Sequence, residues 1–377
     1  MTEEITYSAS GVDIDAADEA IRRIGPHLRS TYRPEVLSDI GGFGSVVAIP
    51  EGYNEPILVS GNDGAGTKTL VAMALNSYET IGIDVVAMCV DDIATSGAEP
   101  LFFLDQITVG AVNPGRIEDL VKGFAEGCRQ AGCALTGGEI AEHPGLMGKD
   151  EFDLSGFAVG IAERSKLPSV SKVGNGDLII GLASPGLRCN GYSLARKILM
   201  NGQDLGQPAF KGSAMSLGEE LLKPSVIYAP AILALFSKIE VRGAAHITGG
   251  GLPGNLSRVI PRQLDVIIRR NTWRTPEIFD RIAEDGPVSI NEMEKVFNLG
   301  IGMAIIVRPE DSLEAIEISE AHGHEAFVIG RTVVGDGIVR MLDDLSLIHI
   351  SEPTRPERIA CGGGWVEKKR GGGGGGG

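Results

Sequence analysis

Glycines recur in six short clusters along this chain: GGFG (41–44), GNDGAGTK (61–68), LTGGE (135–139), RCNGYS (188–193), HITGGGLPG (246–254) and NLGIG (298–302). Several stand beside carboxylates or where a β-rich run gives way to a helical one. Glycine reaches φ > 0 and brings no Cβ, so backbone N–H groups at such junctions approach a ligand closely, and a following helix start favours an anion. Any one cluster reads equally well as a simple turn. Six of them limit the chain to an architecture of interleaved strands and helices, with room for a polyphosphate among the loops.

Ten of the 53 glycines lie after residue 343. There the pattern breaks into LSLIHISEPTRPERIACGGGWVEKKR and a run of seven glycines, without helical or strand periodicity. Residues 344–377 resemble the translation of a sequencing-library adapter, with a natural Gly-rich linker as the alternative. We expect a non-native or disordered tail and set it aside. The remaining length predicts an N-terminal domain over 1–170 and a C-terminal α/β domain over 171–343, divided at 165–177, where Pro168, Gly174, Asn175 and Gly176 cluster.

With 34 basic against 50 acidic residues the formal charge is −16, the wrong sign for a general binder of nucleic acid or anionic membrane. No stretch approaches 18 uninterrupted apolar residues. Five cysteines without a CxxC pair fit reduced thiols, and a cytoplasmic setting is expected. Periodicity predicts a helix at 16–28, strands at 45–50 and 56–61 forming a hairpin, helices at 67–78, 80–97 and 114–131, and strands at 100–110, 133–137 and 153–162. In the second half it predicts strands at 177–183, 243–248, 264–270, 301–307 and 325–334, with helices at 191–201, 214–236, 252–259, 275–284 and 309–321.

GNDGAGTK nearly matches the phosphate loop GxxxxGK[ST], but the lysine falls one residue late. Gly249, Gly251 and Gly254 satisfy GxGxxG, yet Pro253 interrupts it and no acid follows at the distance a ribose needs. Carboxylates near these clusters are a further signal. Asp63, Asp84, Asp92 and Glu139 are hard oxygen ligands of the kind Mg²⁺ prefers when it arrives with phosphates, and Lys68 would supply a point charge to them. The expectation is a Mg²⁺–ATP site. Asp84 and Asp92 read as one face of a buried helix, or as a solvated face, with Asp91 exposed. His246, ending a strand before TGGG, reads as a base, a phosphate ligand or a structural histidine; His27, His322 and His324 read as superficial. Covalent hydrolase and zinc chemistry lack their motifs.

GVDIDAADEAIRRI (11–24), GGFG, GNDGAGTK, TIGIDVVAMCVDDIATSGAEPLFFLD (80–105), LTGGEIAEHPG (135–145), NGYSLARKIL (190–199), HITGGG and FNLGIGM (297–303) together resemble the phosphoribosylformylglycinamidine cyclo-ligase, or aminoimidazole ribonucleotide synthetase, family. The resemblance implies a two-domain α+β and α/β fold, a homodimer whose N-terminal sheets pair into a barrel, and ATP-dependent ring closure on a small-molecule substrate in purine synthesis. It also implies a nucleotide and metal region at Asp63, Gly64, Gly66, Lys68, Asp84 and Asp92. Further cleft segments fall at Gly42 and Gly44, at Gly137, Gly138 and Glu139, at Asn190 and Gly191, and at His246 through Gly249, Gly250 and Gly251. The catalytic candidates are Lys68 and His246. Departures from the family pattern include Asp91 in place of Asn, and Arg188-Cys189 in place of His-Ser, which puts any proton carrier at 188 in doubt. The alternatives are another ATP-dependent enzyme of the superfamily, such as a thiamine-monophosphate kinase, or an inactive nucleotide-binding homologue.

Overall fold

The computed structural model describes residues 6, 7 and 10–343. Residues 344–377, the tail set aside above, lie outside them.

The first half runs α1 (Ile14–Arg29), β1 (Pro56–Gly64), α2 (Thr69–Leu75), α3 (Ile81–Ala94), β2 (Glu99–Val109), α4 (Pro114–Ala131), β3 (Ala134–Glu142) and β4 (Phe152–Glu163). Its sheet has the order β1-β4-β2-β3, antiparallel except for the β2–β3 pair. The second half runs β5 (Leu178–Ala183), α5 (Tyr192–Leu199), α6 (Leu217–Leu222), α7 (Ala229–Lys238), β6 (Gly243–His246), α8 (Gly251–Leu256), β7 (Leu264–Arg269), α9 (Glu277–Asp285), α10 (Ile290–Val296), β8 (Ile301–Val307), α11 (Ser312–Ala321), β9 (Ala326–Val334) and β10 (Val339–Leu342). These strands form a six-stranded mixed sheet, β10-β7-β9-β5-β8-β6.

Local chemistry sets most boundaries. The Asn113 carboxamide oxygen accepts from the N–H groups of Gly115 and Arg116, Pro114 opens α4, and Gly132 at φ +74° closes it. Helix α3 is apolar all round because it is sandwiched between the sheet and other helices: every residue in it except Asp92 is buried. It runs so close to α4 that a Cβ on Gly82 would lie 2.3 Å from the Phe124 nitrogen.

Three expectations are corrected. The 45–50 and 56–61 segments make no hairpin: Val47 forms only an isolated bridge to Val36, while β1 pairs along its whole length with β4, from Pro56↔Glu163 to Gly64↔Ser155. Pro50, Gly52 and Asn54 are a true turn signal, but the strand edge they lead to is supplied a hundred residues later. The helix expected at 214–236 is two, α6 and α7, because Pro224 holds Lys223 extended at ψ 126° and cannot continue the ladder. Helix α10, capped by Ser289 accepting from the Glu292 N–H, and edge strand β10 were not foreseen. One core of buried side chains runs from α3 and α4 into α5, α6 and α7, and a smaller one lies across the six-stranded sheet. No described helix is long and apolar enough to cross a membrane.

Candidate functional site

Three loops from the two halves meet beside the C-terminal end of α3. Strand β1 delivers Asp63 at its end, and the chain then makes a single 3₁₀ turn through Gly66 at φ +54° before α2. Loop 188–191 leads into α5 with Arg188 at φ +64° and Gly191 at φ +81°. Strand β6 ends at His246, and Gly250 and Gly251 at φ +102° and +60° turn the chain into α8. Gly251 is obligatory there, since a Cβ would lie 1.9 Å from the Glu294 carbonyl oxygen.

The loops touch one another. Thr67 Oγ1 and Ser193 Oγ are 3.3 Å apart, and Asn190 Nδ2 lies 3.9 Å from the Cβ position of Gly249. His246 Nδ1 is 2.8 Å from Asp92 Oδ1, while its Nε2 is buried without a hydrogen-bond partner. An orphaned buried ring nitrogen of this kind is open to a partner that the protein itself does not supply, a water or a ligand. A polar cavity of about 350 Å³, lined by Ser60, Asp92, Thr95, His246, Asn255 and Arg258 among others, opens on the β1–β6 side of this pair. Burial pushes the Asp63 carboxyl above the ordinary range, the Asp92 charge adds to the rise, and His246 opposes it.

The four expected metal carboxylates do not form one site. Among the described residues no three His, Cys, Asp or Glu side chains gather closely enough to hold a metal ion. Asp84 is fully buried, with Oδ2 2.7 Å from Lys68 Nζ and Oδ1 accepting from the N–H and hydroxyl of Ser225. Lys68 is equally buried and donates to the Lys223 carbonyl, so neither residue faces the cleft. Eight helical residues turn through about 800°, which leaves Asp84 and Asp92 some 80° apart, enough to put one inside and one at the cleft. Glu139 follows Gly138, which is three strand spacings from Asp63 across the register Asp63–Gly156–Asp105–Gly138, roughly 14 Å. Of the four, Asp63 and Asp92 are the two whose charges act on one another, beside His246.

Gly42, Gly44, Gly137, Gly138 and Glu139 line a different cavity, of about 770 Å³, between α1, the 39–45 loop and the open face of the four-stranded sheet. Asp91 is corrected from exposed to fully buried: its Oδ2 is 2.7 Å from Arg188 Nη2. The two departures from the family pattern are therefore each other's partners, and Arg188 points at Asp91 rather than into the cleft. His324 is half-buried rather than superficial, its ring lying 4.9 Å from that of Tyr228.

Sequence reasoning missed Asp105, which alternation along β2 places on the buried side of the sheet. Burial pushes its carboxyl up to about 7, with only its own backbone N–H pulling the other way. An acid raised in the fold binds an extra proton between its unfolded value near 4 and the folded one near 7, so stability falls as pH rises through that window. Asp105→Asn should accordingly raise the melting temperature at pH 8, by the equivalent of about 2–4 kcal/mol, and change it little at pH 4. Melts at the two pH values check this; an equal gain at both would sink it.

The model of the AIR synthase related protein N-terminal domain matches residues 45–162, and that of the corresponding C-terminal domain matches 174–343. The chain is 48% identical over 334 residues to the phosphoribosylformylglycinamidine cyclo-ligase of Anaeromyxobacter sp., covering 88% of this chain and 97% of that protein. Among solved structures, thiamine-monophosphate kinase from Stenotrophomonas maltophilia shares the fold at a TM-score of 0.63 and 18% identity, over 86% of this chain and 95% of the kinase. The hydrogenase maturation protein HypE in complex with ATP does so at 0.60 and 16%, over 85% and 89%. The identity to the cyclo-ligase, sustained across nearly the whole of both domains, shows that the chain belongs to the phosphoribosylformylglycinamidine cyclo-ligase family.

Proposed function

We propose that this protein closes the imidazole ring of 5'-phosphoribosylformylglycinamidine, consuming ATP and releasing 5-aminoimidazole ribonucleotide, ADP and phosphate in de novo purine biosynthesis. The observation that carries the reading is the convergence of Asp63, Asp92, His246 and the 188–193 and 248–251 loops on one cleft between the halves. An amide oxygen is a poor leaving group. Phosphorylating it makes phosphate the leaving group, and a nitrogen of the same substrate then attacks the activated carbon. The protein has to align two phosphate-bearing molecules and steady moving charge.

In this reading Asp63 and Asp92 hold Mg²⁺, which when bound neutralises phosphate charge. Asn190, Gly191, Gly249, Gly250 and Gly251 present backbone and amide groups to phosphate, and His246 Nε2 hydrogen-bonds the reacting groups or carries a proton. Gly42, Gly44, Gly137 and Gly138 accommodate the remainder of a ligand in the larger cavity. The open face of the four-stranded sheet exposes Leu58 and Phe157, with Val46 and Phe43 nearby in sequence and exposed too, which suits pairing of two such sheets into a barrel in a homodimer. The division into domains at 1–170 and 171–343 and a cytoplasmic setting belong to the same proposal.

Purified protein given the formylglycinamidine ribotide with Mg²⁺ and ATP is expected to form ADP and aminoimidazole ribotide in equal amounts, and to sediment as a dimer. Absence of both products removes the cyclo-ligase reading, ADP formed only with thiamine monophosphate favours a kinase, and a monomer removes the barrel.

A further inference from the structure

Asp91 and Arg188 form a fully buried ion pair between the halves. Asp91 Oδ1 accepts from the N–H groups of Tyr228 (2.8 Å) and Ala229 (3.0 Å), while Oδ2 faces Arg188 Nη2 at 2.7 Å. The guanidinium lies 4.7 Å from the centre of the Tyr228 ring and donates to the carbonyls of Gly302 (3.3 Å) and Val226 (3.2 Å). As a stabilising device this is poor. Burying two charges carries a desolvation penalty that attraction barely offsets, Arg188 Nε is left buried without a partner, and Arg188 occupies the left-handed region that a non-glycine residue adopts at a penalty.

What the pair does well is fix geometry. A planar fork with four anchors on α3, on the segment before α7 and on β8 leaves Arg188 one orientation, and its backbone must follow. Two residues on, Asn190 stands beside Gly249, and five residues on, Ser193 meets Thr67. Asp92, next to Asp91 on α3, holds His246. One turn of α3 thus grips the 188–191 loop with one carboxylate and the cleft histidine with the next.

We propose that Asp91 and Arg188 are positioning residues that act as a unit, a clamp holding the 188–191 loop so that Asn190 and Gly191 meet the phosphates of the bound nucleotide. The proposal rests on the ring-closing reading above only in assigning a nucleotide to this cleft. Four full-length chains test it: wild type, Asp91→Asn, Arg188→Gln and the double variant, each measured for melting temperature and for binding of ADP with Mg²⁺ by calorimetry. Each single variant is expected to melt about 4–7 °C lower, because it strands one buried charge. The double variant should recover more than half of that loss, yet bind ADP at least tenfold more weakly, since the loop is no longer held. Additive losses in the double variant would overturn the unit, and wild-type ADP affinity in a folded double variant would overturn the positioning role. A wild-type chain that binds ADP but forms no aminoimidazole ribotide would overturn the proposed reaction and leave the clamp standing.

Discussion

Asp84→Ala should lower stability by about 3–5 kcal/mol, which at this chain length moves the melting temperature down by roughly 4–7 °C. The variant leaves the Lys68 ammonium fully buried with no counter-charge, and takes the acceptor from the Ser225 N–H and hydroxyl as well. Combining Lys68→Met with Asp84→Leu removes both charges and should recover most of the loss, though not all, because Ser225 still loses its acceptor. Thermal melts of these variants and of Lys68→Met alone decide between a structural lysine and a phosphate-binding one. A lysine serving phosphates would leave the melting temperature of Lys68→Met near wild type and raise KM for ATP instead.

His246→Gln should reduce kcat by about 10²–10³ with a change in melting temperature of only a few degrees. Glutamine keeps similar length and can hydrogen-bond Asp92, but it offers no ring nitrogen where Nε2 stands unpartnered at the cleft. Steady-state kinetics beside a melt would check this. A histidine that merely filled the β6–α3 junction would show the reverse, a destabilised protein whose folded fraction turns over normally.

The contrast between these variants also marks how much of the site could be read before the fold was known. Asp63, His246 and the turns at 190–191 and 249–251 stood out because each lies at a strand end or glycine turn, features encoded within a few residues, and Asp92 stood out as a carboxylate on a largely apolar helix. Lys68 and Asp84 carried the same local signals, yet the fold buries them against each other. Their roles depended on the partner opposite: Lys68 meets Asp84 on α3 and the Lys223 carbonyl 155 residues away. Glu139 was misplaced for a similar reason, since motif order says nothing about which strand sits at which edge, and β1 and β3 lie at opposite edges of their sheet. Alternation along β2 puts Asp105 on the buried side, but the depth of that burial, which perturbs its carboxyl, comes from the helices packed over the strand.

The amino-acid sequence by itself determined the helices and strands whose period and caps are local, such as α3, α4, β2 and β8, along with the glycine turns and the family pattern. Tertiary structure alone decided that the first strand pairs with the fourth, that the larger glycine-lined cavity is separate from the acidic cleft, and how the carboxylates of α3 divide. Asp84 and Asp91 pair with cations inside the core and Asp92 turns to the cleft histidine. Helical phase sets the angles between those side chains, but whether a carboxylate is a ligand or a counter-ion depends on the charge and burial of what packs against it, and that is supplied by residues far away in the chain.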